Sequence, residues 1–360
     1  MDQLNKIASQ FLLQGRISQI SPLGNGLIND TYLILTQENA PDYVLQRINN
    51  SIFHNVELLQ HNIEVVTAHI HRKLEAAGED DLERKVLTFI PTLQGKTYFQ
   101  DTDGSYWRIS VFIPRSKTLD VVTPASSYDA GKAFGHFEAM LTDLHEPLGE
   151  TIPDFHNMEL RIRQLREAVA TDAVGRVSEV EDELAFISNY ADEMCQAERL
   201  YREGKLPKRI CHCDTKVNNM LFDEQGQVLC VIDLDTVMPS FVFSDFGDFL
   251  RTAANTVAED CPDLEKIQFR DDVFEAFSRG YLESARSFLT PLELQLLPFA
   301  VGLFPMMQAV RFLTDYLNGD TYYKTAYPLH NLVRTRNQLQ LFRCIKEREE
   351  WIHSVLGSTV

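Results

Sequence analysis

The segment 210–222, with the sequence ICHCDTKVNNMLF, constrains the fold of this chain more than any other part of it. It contains the pattern His-x-Asp-x4-Asn followed by an apolar run, and a second apolar run ends in Ile232-Asp233-Leu234-Asp235. Turn-forming residues at 223–226 separate the two runs, which predicts a β-hairpin. Such a hairpin would follow directly on a tight polar loop and would return Asp233 to the neighbourhood of Asn219.

The oxygen-bearing side chains of this segment suit phosphoryl transfer. A carboxylate can orient an attacking hydroxyl and accept its proton, and we predict Asp214 as this catalytic base. A magnesium ion that neutralises a triphosphate prefers hard oxygen ligands, such as a carboxylate and an amide carbonyl. We therefore predict Asn219 and Asp233 as metal ligands, with ATP and Mg²⁺ as the cofactors.

The other polar residues of the segment admit more than one role. We predict His212 to be a structural loop residue. Asp235 lies on the same strand face as Asp233 if the strand continues, so it either supports the metal site or opens the next turn. A hydrolase with Asp233 and Asp235 as an acid/base pair is an alternative, but it leaves the β-rich first third of the chain unexplained. A zinc site at Cys211–Cys213 would need a second ligand pair, and none lies nearby in the sequence.

The order of predicted elements favours a small β-rich lobe followed by a large helical lobe. Apolar residues from Val56 to Leu74 recur every three or four positions, which predicts a helix that Gly78 ends. We predict an α+β, bilobal, protein-kinase-like fold, with a nucleotide-binding lobe at 1–114 and a catalytic and substrate-binding lobe at 115–360. The predicted strands are 16–23, 31–35, 43–48, 85–90 and 106–113, the β-rich island is 209–236, and further helices cover 127–145, 157–203 and 332–352.

The two polar motifs together resemble the aminoglycoside phosphotransferase and choline kinase superfamily. Further blocks are similar to the bacterial N-acetylhexosamine 1-kinases, and they follow one another in the expected order along nearly the whole chain. The resemblance implies an aminoglycoside phosphotransferase-like fold and ATP-dependent transfer to the anomeric hydroxyl of an N-acetylhexosamine or related sugar, giving a sugar 1-phosphate. The blocks are 24–32, 43–49, 212–219, 231–239 with 245–248, and 311–320.

A loop between two predicted strands, Gly24-Asn25-Gly26, is a candidate for the phosphate site. Glycine lets backbone N–H groups come close to phosphate oxygens. The resemblance implies a cation on the third strand that contacts the phosphates, but Gln46 occupies that place, with Arg47 beside it. Neighbouring strand residues point to opposite faces, so only one of the two can meet the phosphates, and the sequence leaves open which one.

Two further parts of the nucleotide site are predicted less directly. The glutamate that would partner the third-strand cation is either Glu57 or Glu64 on the following helix, unless both lie on a solvated helix edge. The adenine base is expected at the hinge, around Phe112 and Ile113, where backbone groups would pair with the edge of the base.

The acceptor site is predicted from polar and aromatic residues in the last third of the chain. Arg311 and Asp315 are spaced i, i+4 on one helix face, and the resemblance favours Arg311 as a substrate ligand. Tyr322 and its aromatic neighbours could pack on a sugar ring. Asp214 also belongs to this site, because the accepting hydroxyl must come within its reach. The neighbouring aromatics are Tyr316 and Tyr323, and Asp245, Asp248 and Arg251 are expected to shape the cleft floor.

The charge composition limits the classes of partner that this protein is expected to bind. The net charge is −18 at pH 7, which argues against nucleic acid and anionic membranes as partners, since both need a basic surface. The polar N-terminus and the lack of a long uncharged apolar run predict a cytoplasmic protein. Its partners are therefore expected to be ATP and a small-molecule substrate, a sugar.

Two other functions fit the same motifs. The acceptor could be another small alcohol, either an amino alcohol or an aminoglycoside, and the acidic balance favours a cationic acceptor of this kind. The chain could instead be a catalytically silent nucleotide-binding protein, which the amide at Gln46 suggests. The presence of Asp214, Asn219 and Asp233 together argues against the silent alternative.

Overall fold

The computed structural model describes residues 2–24, 28–37, 39–119 and 121–358. The chain divides into two compact units, each assembled from three chain segments. The N-terminal unit consists of 1–118, 143–153 and 220–238, and the helical unit of 119–142, 154–219 and 239–360. The division into functional lobes at residue 114 stays a prediction.

A five-stranded antiparallel sheet forms the centre of the N-terminal unit, with the strand order β1-β2-β3-β5-β4. One face packs against helix α1 (Asp2–Ala8), because alternate strand residues such as Ile34, Leu45 and Ile109 are apolar and fully buried. The opposite face carries Gln46 and its polar neighbours. The strands are β1 (Ile17–Pro22), β2 (Asp30–Thr36), β3 (Tyr43–Ile48), β4 (Phe99–Gln100) and β5 (Tyr106–Val111).

The predicted strand at 85–90 is wrong. The short helix α3 (Leu82–Lys85) occupies its start, and only Phe89 forms an isolated bridge to the sheet, opposite Ser110 of β5. The helical turn before this segment and Pro91 after it leave room for a single bridge, since proline has no N–H to donate to a ladder. The remaining strand of the sheet is instead β4, which the sequence pattern does not reveal.

The long helix of the N-terminal unit is α2 (Val56–Ala76), as the apolar spacing predicts. Asn55 caps its N-terminus, because the Asn55 side chain accepts a hydrogen bond of 3.0 Å from the Leu58 N–H. Each apolar side chain buried along the helix stabilises the fold by about 2 kcal/mol. The same helix buries two amides, Gln60 and Asn62, and these polar groups connect α2 to the rest of the unit.

The predicted hairpin also belongs to this unit. It consists of β7 (Met220–Phe222) and β8 (Val228–Val231), which pair antiparallel. Its first strand is fixed to the unit because Phe222 exchanges two backbone hydrogen bonds, of 2.9 and 2.8 Å, with Lys117. The strand ends at Val231, and a 3-10 helix follows at Leu234–Thr236.

The helical unit contains nine α-helices within its described residues. Helices α4 and α9 cross closely because Gly131 and Gly280 lie at the contact and have no side chain. A Cβ placed on Gly131 would lie 2.2 Å from the Phe277 carbonyl oxygen, and one on Gly280 would lie 2.0 Å from that of Tyr128. The strand β6 (Arg209–Cys211) pairs with β9 (Met238–Ser240). The helices are α4 (Pro124–Met140), α5 (Met158–Thr171), α6 (Glu181–Met194), α7 (Gln196–Arg202), α8 (Phe243–Ala253), α9 (Asp271–Ala285), α10 (Pro291–Leu317), α11 (His330–Lys346) and α12 (Glu349–Ser358).

Helix α10 is the core helix of this unit. Thr290 and Glu293 form a capping box at its start, and a proline occupies its first turn. The helix is 27 residues long and contains an 18-residue window apolar enough to cross a membrane, which no other helix in the described ranges matches, but 72% of that window is buried inside the protein. The sequence prediction of no span-like run therefore overlooks this helix, whose apolar surface is used for packing.

Candidate active site

The loop that carries Asp214 is held by a buried carboxylate on the next helix. Asp245, in the first turn of α8, accepts the backbone N–H of His212 at 2.8 Å and that of Cys213 at 2.7 Å. The hydroxyl of Thr215 donates to the Asp245 carbonyl oxygen at 2.7 Å. Cys213 adopts a left-handed conformation with φ 63°, which turns the chain sharply just before Asp214.

The ring of His212 supports the same loop from inside the helical unit. It is fully buried and packs edge-on against Phe134 and Phe137, at centroid distances of 5.7 and 5.9 Å. Its Nδ1 accepts the Asp214 N–H at 3.3 Å. This packing agrees with the structural role predicted for His212.

Asp214 is held as a carboxylate by two neighbours. Its Oδ1 lies 2.6 Å from Lys216 Nζ, and Asn219 Nδ2 donates to its carbonyl oxygen at 2.8 Å and to its Oδ2 at 3.1 Å. Burial alone would raise the pKa of Asp214, but the Lys216 charge and the hydrogen bonds outweigh it and hold the pKa below the ordinary value. Asp214 is therefore ionised at neutral pH and can accept a hydrogen bond from an alcohol.

Asn219 is buried at the end of a 3-10 helix, Val217–Asn219. Its amide nitrogen is committed to Asp214, so the amide carbonyl oxygen is the group that Asn219 can offer to a cation. The sequence predicts a role for Asn219 but does not single out Lys216. Lys216 follows Asp214 by two positions in one tight loop, and this close spacing of opposite charges is the signal that could have identified Lys216.

The residues expected at the cleft floor have distinct contacts. Asp245 holds the loop of Asp214. Arg251 Nε lies 3.1 Å from Asp248 Oδ1, and the same guanidinium pairs with Glu259. Burial raises the pKa of Asp248, so this side chain depends on Arg251 to remain charged.

Asp233 lies in the N-terminal unit, just after the end of β8. It has a left-handed backbone, with φ 60° and ψ 57°, and it occupies the N-cap position of the 3-10 helix Leu234–Thr236 without a capping hydrogen bond from its side chain. An aspartate in this conformation costs roughly 1–2 kcal/mol, so its surroundings must hold it there. The strand does not continue to Asp235 as the sequence analysis supposed, because the 3-10 helix redirects the chain.

Asp235 anchors this turn inside the unit and is 3% exposed. Its Oδ1 lies 2.6 Å from Arg108 Nη1, its Oδ2 accepts from Asn29 Nδ2 at 2.7 Å, and its carbonyl oxygen accepts from the Thr151 hydroxyl at 2.8 Å. Both carboxylate oxygens are engaged inside the unit, so neither is free to contact a substrate. The contacts disfavour the hydrolase alternative for Asp233 and Asp235.

Gln46 and Arg47 have different surroundings. Gln46 on β3 pairs in register with Arg108 on β5, and Arg108 Nε donates to Gln46 Oε1 at 2.9 Å. Arg47 is half-exposed, donates to the Ser105 hydroxyl at 2.9 Å and lies 3.8 Å from Asp30. Gln46 therefore faces the buried polar network of the unit, whereas Arg47 lies at the surface.

The α2 residue that faces this network is neither predicted glutamate but Gln60, whose Oε1 accepts from Arg108 Nη1 at 3.2 Å. Glu57 and Glu64 are exposed and line a groove of about 510 Å³, where Glu64 accepts from the Thr97 hydroxyl. Both glutamates therefore lie on a solvated helix edge, which is the alternative that the sequence leaves open.

The remaining predicted nucleotide residues are described only in part. Gly24 has a left-handed φ of 68°, as a tight turn requires, while Asn25 and Gly26 lie outside the described residues. At the hinge, the Phe112 N–H donates to the Asp42 carbonyl at 2.8 Å and the Ile113 carbonyl accepts from the Ser116 hydroxyl at 2.7 Å. Two of the four backbone groups of this dipeptide are therefore already bound.

Asp315 organises a loop in the predicted acceptor region. Its carboxylate accepts the backbone N–H groups of Thr321, Tyr322 and Tyr323 at 2.9, 2.8 and 2.9 Å. The amide of Asn331 donates to it at 2.8 Å. Four hydrogen bonds occupy both oxygens, so Asp315 shapes the loop that presents the exposed Tyr322.

Arg311 lies among aromatic and basic groups. Its guanidinium is 5.5 Å from the ring centre of Phe155 and 5.7 Å from that of Tyr323. Burial and the nearby Arg311 lower the pKa of Arg161 to about 10. Burial, together with the Arg311 and Arg161 charges, lowers the pKa of His156 well below its ordinary value. The sequence analysis did not find Arg161 or His156, which lie far from Arg311 in the chain.

A second cluster of titratable side chains is buried behind the catalytic loop. Glu138, Cys211 and Asp245 bring a carboxylate, a thiol and a carboxylate within 4.8 Å of one another. Burial raises the pKa of Glu138 well above its ordinary value, and Tyr281 donates a hydrogen bond to it. Asp245 accepts the backbone N–H groups of His212 and Cys213, so the cluster supports the loop of Asp214.

An antiparallel sheet with one long helix, followed by a helical unit that carries a His-x-Asp-x4-Asn loop, is the order of elements expected of a kinase-like fold. Residues 19–288 match the phosphotransferase enzyme family, APH. The family model covers three quarters of the chain, so the chain belongs to this phosphotransferase family.

Solved structures share the fold across almost the full chain. An aminoglycoside phosphotransferase from Alicyclobacillus acidocaldarius has 13% identity and a TM-score of 0.57, with 96% of each chain covered. A spectinomycin phosphotransferase in complex with ADP and spectinomycin has 14% identity and a TM-score of 0.52, covering 99% of this chain and 98% of that one. The choline kinase LicA from Streptococcus pneumoniae has 16% identity and a TM-score of 0.51, covering 95% and 99%.

Proposed function

We propose that this phosphotransferase uses ATP to phosphorylate the anomeric hydroxyl of an N-acetylhexosamine or a related sugar, giving a sugar 1-phosphate. The observation that supports transfer to a hydroxyl is Asp214, a carboxylate kept ionised by Lys216 and Asn219 in a loop that Asp245 holds fixed. The choice of an anomeric sugar hydroxyl rests on the resemblance to the N-acetylhexosamine 1-kinases. Because phosphoryl transfer proceeds through a loose transition state, the protein mainly positions and stabilises charge. A carboxylate with a lowered pKa is a weak base, which suits orienting the hydroxyl and taking its proton late.

The nucleotide is assigned to Gly24–Gly26, Gln46 and the hinge. At the hinge the adenine edge would pair with the Phe112 carbonyl and the Ile113 N–H, since the other two groups of this dipeptide are bound. The spectinomycin phosphotransferase with a similar fold binds ADP, which supports a nucleotide of this kind.

Magnesium is assigned to Asn219 and Asp233. The donor set fits this ion, because an amide carbonyl and a carboxylate are the hard oxygen ligands that magnesium prefers. When bound, magnesium would neutralise the charge of the triphosphate. Lys216, with its ammonium group 2.6 Å from Asp214, would add a second positive charge beside the transferred phosphoryl group.

The acceptor is assigned to Asp214, Arg311 and Tyr322, with Asp315 holding the loop that carries Tyr322. Arg161 and Arg311 increase the local positive charge, and His156 stays neutral at pH 7 because its pKa is lowered. Positive charge disfavours a cationic amino alcohol or aminoglycoside and is compatible with a neutral sugar whose acetamido carbonyl accepts hydrogen bonds. This charge pattern favours the sugar over the other two acceptor classes.

The test is an ADP-release assay with Mg²⁺ and ATP across N-acetylhexosamines, choline, ethanolamine and spectinomycin. We expect turnover with an N-acetylhexosamine, and phosphorus NMR of the product should show an anomeric phosphate. Turnover with only choline, ethanolamine or spectinomycin would contradict the sugar assignment. Nucleotide binding without turnover on any acceptor would favour the silent nucleotide-binding protein.

A further inference from the structure

Arg108 is a buried cation at the centre of the N-terminal unit. It lies in the middle of β5 and is 2% exposed. Its guanidinium reaches three elements: Gln46 on β3 at 2.9 Å, Gln60 on α2 at 3.2 Å and Asp235 in the 3-10 helix at 2.6 Å. No motif in the sequence marks Arg108, because its partners come together only in the folded unit.

Two partners of Arg108 lie on the third strand and on the following helix, the same elements that carry an ion pair needed for phosphoryl transfer in protein kinases. In protein kinases a lysine on the third strand pairs with a glutamate on the following helix, and this pair and the metal-binding aspartate must both be in place for activity. Here the third strand and the helix both contribute amides, Gln46 and Gln60, and both amide oxygens accept from Arg108. The charge that the third strand lacks is supplied one strand further along the sheet.

The turn that contains Asp233 is held through Asp235. Asp233 adopts a left-handed conformation that the surrounding structure must maintain. Arg108 and Asn29 bind the Asp235 carboxylate, and Thr151 binds its carbonyl oxygen. Of these three contacts between described residues, only the one from Arg108 brings a formal positive charge to the Asp235 carboxylate.

We propose that Arg108 is a positioning residue for the magnesium site: through its ion pair with Asp235 it holds Asp233 in the geometry that binds the metal. This inference rests on the proposed function, in which Asp233 is a magnesium ligand. It assigns Asp235 to the support of the metal site rather than to the metal itself. It also explains how a chain with Gln46 on the third strand can remain an active kinase.

A purely stabilising ion pair behaves differently from a positioning one. Removing one partner of a buried pair is strongly destabilising, but replacing both by apolar residues of similar size is often neutral or stabilising. The double variant Arg108→Met/Asp235→Leu therefore separates the two roles. A structural pair would leave this variant with normal metal binding, whereas a positioning pair would leave it folded but defective.

The experiment measures Mn²⁺ binding in the presence of ADP by electron paramagnetic resonance, and ADP affinity by calorimetry with and without Mg²⁺. We expect the double variant and Arg108→Met to bind Mn²⁺ at least about tenfold more weakly, while metal-free ADP affinity changes less than about threefold. Arg108→Lys should fall between, because one ammonium group cannot reach all three acceptors. The matched control is Arg202→Met, which removes an arginine paired with Glu159 at 2.7 Å in the helical unit.

The outcomes are distinct. Wild-type Mn²⁺ affinity in a folded double variant would overturn the positioning role and leave the proposed kinase function standing. If the wild-type protein itself binds no Mn²⁺ with ADP and phosphorylates no acceptor, both the proposed function and this inference fail. If Arg108→Met does not fold, the double variant and Arg108→Lys decide the question.

Discussion

Two polar turns, one in each unit, are held by buried aspartates in different ways. In the helical unit, Asp245 holds the loop of Asp214 by accepting backbone N–H groups. In the N-terminal unit, Asp235 holds the turn of Asp233 through the side chains of Arg108 and Asn29. The first anchor depends on the chain path alone, since every residue but proline has an N–H. The second depends on particular side chains from distant parts of the sequence.

This difference has a consequence for the two aspartates that they support. The loop of Asp214 should keep its shape when neighbouring side chains change, as long as Asp245 is present. The turn of Asp233 should respond to each change in its side-chain network. The turn of Asp233, the proposed metal ligand, is therefore expected to be more easily disturbed than the loop of Asp214.

The largest expected effect is the loss of the proposed catalytic base. Asp214→Asn should lower kcat roughly 10²–10⁴-fold, because an amide cannot accept the proton of the acceptor hydroxyl. Steady-state ADP release measures this, and circular dichroism should show an unchanged fold. Asp182→Asn, at an exposed position of α6, is the matched control. Near-native turnover in Asp214→Asn would remove this residue from the mechanism.

The next effect tests the backbone anchor. Asp245→Ala leaves the N–H groups of His212 and Cys213 without their acceptor, and each buried unpaired group costs roughly 1–3 kcal/mol. We expect urea denaturation to show a lower free energy of unfolding, together with reduced kcat. A variant that keeps full stability but loses activity would show that Asp245 acts in chemistry and not as an anchor.

A smaller effect is expected for the acceptor loop. Asp315→Ala removes the acceptor of three backbone N–H groups and loosens the loop of Tyr322. We expect the KM for the proposed sugar acceptor to rise about tenfold, equal to about 1.4 kcal/mol, with the KM for ATP unchanged. Initial-rate kinetics with each substrate varied in turn measure both constants. An equal change in both would place Asp315 in general stability instead.

The smallest effect concerns pH. The pKa of Asp214 is lowered in the folded protein, so its contribution to stability is present above the unfolded pKa and is lost as the pH falls through the folded pKa. Lys216→Met removes the main opposing charge and leaves burial, which raises the pKa. The acidic limb of the pH dependence of kcat/KM should therefore move to higher pH. A limb at the wild-type position would show that Lys216 does not influence Asp214.

Much of the fold follows from local patterns. Val56 to Leu74 form a helix because their spacing places apolar groups on one face, and the hairpin 220–231 follows from its turn residues. The segment 85–90 misleads because an apolar run predicts a strand, whereas a helical turn and Pro91 on either side limit it to one bridge. The short strand β4 has too few residues for any periodicity.

The sequence by itself determined the family, the fold and the short-range spacing of the catalytic loop, because these depend on residues close together in the chain. Asp214 and Asn219 are five positions apart, so one tight loop suffices to bring them together. The supports of the site were decided only by the tertiary structure. Asp235 meets Arg108, and Asp245 meets the His212 N–H, because folding brings distant segments together. Each buried carboxylate needs such a partner, since a buried charge without one is strongly destabilising.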